Sequence, residues 1–268
     1  MGRKPRHALE GGMKHQLTRW PVRLGIGLIV PLFLFLWWQW QGSAHPSAFA
    51  PPAAVASALA ELLRNGGLLR DTLATLERAF TGLAIGAPLG VAAGIAMGIW
   101  KPVDRLLGPL LHALRQVPMI GWLPLIGLWF GVGEGTELIV VSMSAFFPSM
   151  LNSHAGVAQV ERRYLEVGGI YRFSTFQRIR FILLPAAMPL VMTGLTQALA
   201  FAWISTIGTE LLTGAGAGLG VAMQAAQVQQ RLDIMLVVIS VTAILGFIIN
   251  QLFRSLRQSL LRWQPAQS

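Results

Sequence analysis

Long uncharged apolar runs alternate along the chain with short polar connections, and most of the basic residues stand in those connections. A bilayer core about 30 Å thick is crossed by roughly 20 apolar residues in a helix. Six segments meet that requirement, at about 24–40, 79–100, 106–130, 137–152, 184–207 and 234–253. The first closes on Trp37, Trp38 and Trp40, whose amphipathic rings suit a headgroup boundary. That ending favours an uncleaved anchor over a secretory signal, whose apolar stretch is shorter and closes on small residues. The second carries Gly82, Gly86, Gly90, Gly94 and Gly98 at an unbroken spacing of four. This is just over one helical turn, so the glycines wind slowly over one face and let another helix approach backbone to backbone. The third holds His112 and Arg115 near its start and is interrupted by Pro109, Pro118 and Pro124. It is expected to kink, because each proline frees a carbonyl that neighbours or a cavity must satisfy.

Lys and Arg stay on the cytoplasmic side of membrane helices. With the N-terminus inside, the inner segments hold sixteen of them and the outer segments only Arg64, Arg70 and Arg231. The inner set comprises six residues before the first span, Lys101 and Arg105, then Arg162, Arg163, Arg172, Arg178 and Arg180, and finally Arg254, Arg257 and Arg262. Both termini are therefore expected inside.

Composition narrows the class further. The 268 residues are 54% hydrophobic and 12% charged, about half the charged share of an ordinary soluble domain, and mean hydropathy is +0.57. These values exclude a water-solvated globule and a disordered chain. With no cysteine, disulfide frameworks, thiolate metal sites and cysteine nucleophiles are all excluded. The net charge of +10 does not point to nucleic acid, since the basic residues flank apolar runs instead of forming a soluble basic face.

Catalytic signatures are missing from the sequence. Nothing matches a P-loop, and the glycines at 214, 216, 218 and 220 follow no strand and fail the dinucleotide spacing. The five histidines form no zinc-protease pair, and there is no nucleophile elbow. No span bears the repeated arginines of a voltage sensor, nor the interior acids or histidines usual in a proton-coupled carrier. Glu210, placed just past the fifth span, is the one acid near a membrane-embedded position. It reads either as a solvated helix-end acid or as part of a pathway, and the glycine-rich stretch after it is apolar enough to dip back into the bilayer or lie along it.

The most informative segment is the loop from Ser153 to Leu183, long for a connection, basic, and helix-prone in two pieces, 160–171 and 174–183, with Ser174 as a candidate N-cap. Glu166, Val167 and Gly168 are followed after three residues by Arg172 and after nine more by Ile182, Leu184 and Pro185. This spacing resembles the inner-membrane permease subunits of ATP-binding-cassette importers, whose loop reads E-A-A, three residues, G, nine residues, I-x-L-P. Further resemblance lies in Pro124-Leu125, in the run from Leu128 to Glu134, in Phe147-Pro148 with Asn152 and Gly156, and in Ala202-Trp203 with Glu210 ahead of Gly218-Leu219-Gly220. Together these resemble the branch that imports aliphatic sulfonates, taurine and nitrate, over roughly residues 50 to 265, with the sulfonate permeases nearest.

The resemblance implies an all-α type I importer permease with six transmembrane helices in the bacterial inner membrane. Its parts would be a cytoplasmic basic N-terminus (1–23), a first transmembrane helix (24–40), a periplasmic segment (41–75), a type-1 transmembrane core (76–256) containing the coupling loop 153–185, and a cytoplasmic tail (257–268). It implies no enzyme activity and no cofactor on this chain, because ATP and Mg would be bound by two separate ATPase subunits docked on the loop. A solute-binding protein outside, a second permease copy and membrane lipid complete the expected partners. Pro185 would restart the fifth span where its missing N–H is harmless. Arg172 departs from the pattern: a left-handed turn residue other than glycine costs on the order of 1 kcal/mol, so Arg172 either bears that strain or the turn is reshaped.

For an anionic solute, candidate pathway groups are the hydroxyls of Ser142, Ser144, Ser205 and Thr206, with Glu210, Pro118 and Trp122. Helix packing is the plain alternative for the hydroxyls. Taurine, nitrate and a riboflavin or thiamine precursor stand beside a sulfonate as substrates. The competing classes are a stand-alone channel or secondary carrier, whose basic loop would face lipid, and a membrane scaffold.

Overall fold

The computed structural model describes residues 19–45 and 49–261, so the expected N-terminus up to residue 18 and the tail from residue 262 lie outside the described residues. The described residues are overwhelmingly helical and contain no strand. The helices are α1 Arg19–Ala44, α2 Pro52–Arg64, α3 Gly67–Ile99, α4 Lys101–Leu114, α5 Leu123–Phe130, α6 Glu134–Ala158, α7 Arg162–Ile170, α8 Thr175–Thr213, α9 Leu219–Val228 and α10 Leu232–Leu260. Four of them, α3, α6, α8 and α10, are long and apolar enough to cross a bilayer.

The chain divides into two units at Leu59. In the first, α1 runs over the first expected span and is 26 residues long. There the Trp38 indole donates to the Ala50 carbonyl at 2.9 Å, and Trp37 meets Phe49 edge to face at 6.2 Å.

The second unit is built around α6. All five glycines of the α3 stripe face it: an added β-carbon would stand 2.9 Å from Val141 Cβ at Gly82, 2.9 Å from Ser149 Cβ at Gly90 and 2.6 Å from Val157 Cβ at Gly98, with Gly86 and Gly94 blocked by α6 backbone. The contacts climb both helices together, so α3 and α6 run parallel over most of their length. Contacts of Ser144 with Ser205, Asn152 with Gln197 and Gly156 with Ala187 set α8 antiparallel to α6. Arg257 on α10 donates to Thr193 on α8 at 3.1 Å, and Gly246 packs on Trp203, so α10 is antiparallel to α8. This alternation brings the ends of α3 and α6 and the start of α8 to one side, where the basic loop residues gather. The starts of α3 and α6 and the end of α8 meet at the other.

Three expectations change here. The third span is broken more fully than a kink, and at one of its three prolines: α4 passes through Pro109 and ends at Leu114, the chain extends through Pro118 (φ −53°, ψ 131°), and a 3-10 turn, Met119–Trp122, leads into α5. Pro118 fixes φ and disfavours the α conformation of the residue before it, which accounts for the break. The regular α-helix of the fifth span does restart at Leu184 with Pro185 in its first turn, but the span itself begins earlier. Helix α8 passes continuously from Thr175 to Thr213 and widens into a π-helical turn at Ile179–Leu183 just ahead of the proline, which absorbs the lost hydrogen bond. The coupling loop is also shorter than expected, because α6 continues to Ala158.

The glycine stripe predicts a strong positional contrast. Gly90→Leu forces α3 off α6 and is expected to lower stability by about 3 kcal/mol, read as lost accumulation and a lowered melting midpoint in detergent. Gly67→Ala, with nothing within 4 Å of the added carbon, should leave both unchanged.

Candidate functional site

Three groups of polar or exposed residues stand out in the second unit. The first is the segment between α6 and α8. Helix α7 ends in a Schellman turn, with Phe173 N–H donating to Gly168 O at 2.9 Å and Arg172 N–H to Gly169 O at 3.0 Å. Arg172 occupies the left-handed position, with φ at 51°. The turn keeps its glycine-type geometry, and Arg172 bears the strain. Gly168 is buried, and a β-carbon there would lie 2.6 Å from Ile182 Cδ1, so its lack of a side chain brings α7 down onto the π turn. Ser174 caps the start of α8 in a full capping box: Gln177 N–H donates to its Oγ at 3.3 Å, and Ser174 N–H donates to Gln177 Oε1 at 2.8 Å.

Beneath this turn lies an apolar hollow of about 560 Å³, lined in part by Val167, Gly168, Phe173, Ile182 and Pro185. Around it Ile170, Tyr171, Phe176 and Phe181 are 79, 71, 67 and 59% exposed, among five arginines. Glu166 points outward and lies 3.9 Å from Arg162 one turn earlier. Such an exposed pair holds little energy, which leaves both charges available to a partner. Leu184 is half-buried at the first α-helical position after the π turn.

The second group is a buried ion cluster at the opposite end. Arg78 on α3 lies between Glu137 on α6, at 2.7 Å, and Glu210 on α8, to which it is directly bonded. Both carboxylates are fully buried. Thr75 donates to Glu210 at 2.9 Å and accepts from Leu219 N–H at 2.8 Å, while Gly220 N–H donates to Glu210 at 2.9 Å. Thr213 donates to Glu137. Glu210 is therefore neither past the fifth span nor solvated: it lies inside α8 and caps the first turn of α9. Arg78, Thr75 and the partner role of Glu137 escaped the sequence analysis, although opposite charges just inside the edges of separate apolar runs were a visible signal.

The third group holds the remaining pathway candidates. Ser144 and Ser205 are buried and share a hydrogen bond of 2.6 Å between α6 and α8. Thr206 donates to Ala202 O within its own helix at 2.8 Å. Ser142 is half-buried, with its backbone against Gly86. Pro118 is exposed at the break after α4, and Trp122 packs with Leu123, Ile126 and Val140. Among the described residues no cluster of three or more His, Asp or Glu would hold a metal ion.

Four helices long and apolar enough to cross a bilayer, with a basic, aromatic segment extending from one end of the bundle, are the outline of a multi-pass membrane subunit. The family model for the binding-protein-dependent transport system inner membrane component matches residues 86–262, and the chain belongs to that family of multi-pass bacterial inner-membrane proteins. It is 30% identical over 241 residues to SsuC of Bacillus subtilis, named as an aliphatic sulfonates transport permease, covering 89% of this chain and 87% of that protein. It is 31% identical to the taurine transport system permease protein TauC of Escherichia coli, covering 91% and 92%. It is 28% identical to the bicarbonate transport system permease protein CmpB of Synechococcus elongatus, covering 94% and 96%. Among solved structures, an amino acid ABC transporter chain shares the fold with a TM-score of 0.61 at 16% identity, over 77% of this chain and 98% of that one. The methionine transporter MetNI does so with a TM-score of 0.53 at 20% identity, over 70% and 92%.

Two predictions follow from this geometry. Removing Arg78 leaves two buried carboxylates uncompensated, so Arg78→Ala should destabilise the chain by about 3–5 kcal/mol, measured by thermal melting in detergent beside a much smaller effect of Glu166→Ala. Arg172→Gly relieves a left-handed strain of ~1 kcal/mol, partly offset by the greater freedom of glycine in the unfolded chain. Its melting midpoint and transport should match or exceed those of the parent; a large loss of both would show that the arginine has a dedicated contact.

Proposed function

We propose that this chain is the translocation subunit of an importer for a small anionic solute, an aliphatic sulfonate, driven by separate ATPase subunits. Two copies would line the pathway, with both termini inside and six crossings per copy, α4 and α5 together making the third. Two ATPases would dock inside and a solute-binding protein would deliver substrate outside. The observation that carries this reading is the exposed apolar and basic segment around α7, which is joined to α8 by the tight turn at Arg172 and the Ser174 cap. A transporter without its own nucleotide site must receive work through a contact stiff enough to transmit it. Helix α8, with 39 residues, spans about 53 Å from Thr175 at that contact to Glu210 in the Arg78 cluster.

In this mechanism Val167, Gly168, Ile182 and Pro185 shape the seat of the coupling helix, and Glu166 meets a basic group on the ATPase. Closing and reopening of the ATPase pair rocks α8 with α3 and α6 as one body, so that a midplane cavity faces each side in turn. The sulfonate assignment draws on SsuC and TauC, whose named substrates share the sulfonate group. It is also consistent with CmpB, whose named substrate is another small monoanion.

The test is purification of the chain from its native membrane. A nucleotide-binding ATPase should co-elute, Glu166→Arg should remove it, and ethanesulfonate with the cognate solute-binding protein should stimulate ATP hydrolysis in proteoliposomes. Ethanesulfonate should also raise the melting temperature of that binding protein. Uptake that continues after ATP is exhausted would instead place the chain among carriers or channels.

A further inference from the structure

Arg78 shows how this protein handles a buried cation, with two carboxylates beside it. Arg115, exposed on the surface of the single chain, is treated differently. It follows α4 at the break before Pro118, and among the described residues its guanidinium makes no ion pair. It opens instead onto a cavity of about 240 Å³ whose other walls include Ser144, Phe147, Pro148, Gln197 and Phe201, with no carboxylate among them.

The depth of this cavity follows from the helices. Asp104 on α4 lies 3.4 Å from His154 on α6, so α4 runs back along α6 and carries Arg115 to the level of residues 144–151. Pro148 lies ten residues before the end of α6 at Ala158, a rise of about 15 Å and half the thickness of a hydrocarbon core. Gln197 sits near the middle of the Leu184–Thr213 stretch of α8. An arginine at this depth without a counter-charge marks a substrate or ion path.

The amides beside it are oriented. Asn152 donates one hydrogen to Pro148 O at 2.8 Å and the other to Gln197 Oε1 at 2.9 Å. The first contact requires the Asn152 nitrogen at that position, since a carbonyl only accepts, and the second then fixes the Gln197 amide. The Gln197 NH₂ group is left as a donor at the cavity wall. A forked cation and an amide donor border a space otherwise lined largely by apolar carbon, Phe147 and Phe201 included.

We infer that this cavity is an anion-binding subsite of the translocation path, where Arg115 and the Gln197 amide hold a sulfonate or similar monoanionic head and the Phe147 and Phe201 side takes its short apolar tail. A single cation in an open cavity binds loosely enough to release its ligand, as transport requires. The inference deepens the importer reading above and rests on it for the role of the site; the binding it claims stands on this chain alone.

The full-length purified chain is titrated with sodium ethanesulfonate, with sodium chloride and ethylammonium chloride at matched ionic strength as controls, and its melting midpoint is followed. The wild type should show a saturable ethanesulfonate-dependent rise that neither control gives. Arg115→Gln should weaken the apparent affinity by about tenfold or more, which corresponds to one charge-assisted contact. Arg115→Lys should retain part of the shift, and Gln197→Leu should reduce it. Should Arg115→Gln fail to accumulate, the lysine and leucine variants carry the comparison. Variants that titrate like the wild type would overturn the inference, as would a wild type with no shift that nonetheless takes up ethanesulfonate when reconstituted; in that last case the importer reading survives. An Arg115-dependent shift in a chain that shows no ATP-driven anion uptake would support the subsite and sink the importer reading.

Discussion

Lipid offers a polar group no hydrogen-bonding partner, so every donor, acceptor and charge at depth must be satisfied within the chain or within a cavity that the chain encloses. Most features of the second unit answer that constraint. Arg78 pairs with both Glu137 and Glu210, while the Thr75 and Thr213 hydroxyls and the Gly220 N–H take up further carboxylate valence. The start of α9, which would otherwise leave bare donors, is capped by side chains from α3 and α8. The π turn before Pro185 and the Schellman turn at Arg172 serve the same end where helices change course. Arg115 departs from the rule, and its cavity is the place where a ligand would complete the set.

Packing obeys a related limit. Between membrane helices there is no water to expel, so association rests on close contact and shared hydrogen bonds. The α3 glycines bring two backbones together, and the serine pair at 144 and 205 joins α6 to α8. The three helices thus form a stiff body, and α8 carries the segment after α7 at one end and the ion cluster at the other.

Local patterns were legible from residues alone. The four-residue glycine period located a packing face but could not name its partner, because the α6 residues it meets lie nearly sixty positions downstream. The Ser174 cap and the left-handed demand at Arg172 are properties of a few adjacent residues, and both were visible in the sequence. Long-range pairing was not. Glu210 was cut from its helix because a charge ends an apolar run, whereas its partner Arg78 lies 132 residues away. The third span was expected to kink at its prolines, but the residues alone did not show which of them would end the helix: Pro109 lies within α4, and the break falls before Pro118. The family, and with it the fold, was legible in the loop spacing because such spacing encodes a contact geometry. The Arg115 cavity was invisible there, since its walls come from three separate segments.

The central claim is that a bundle without nucleotide chemistry receives its energy through the α7 segment. A photo-crosslinking residue placed at Phe176 in otherwise intact cells tests it most directly. The expected result is a crosslinked partner that binds ATP, with adduct yield changing between nucleotide-bound and nucleotide-free states. Adducts to phospholipid alone, in cells that still accumulate solute without ATP, would contradict it.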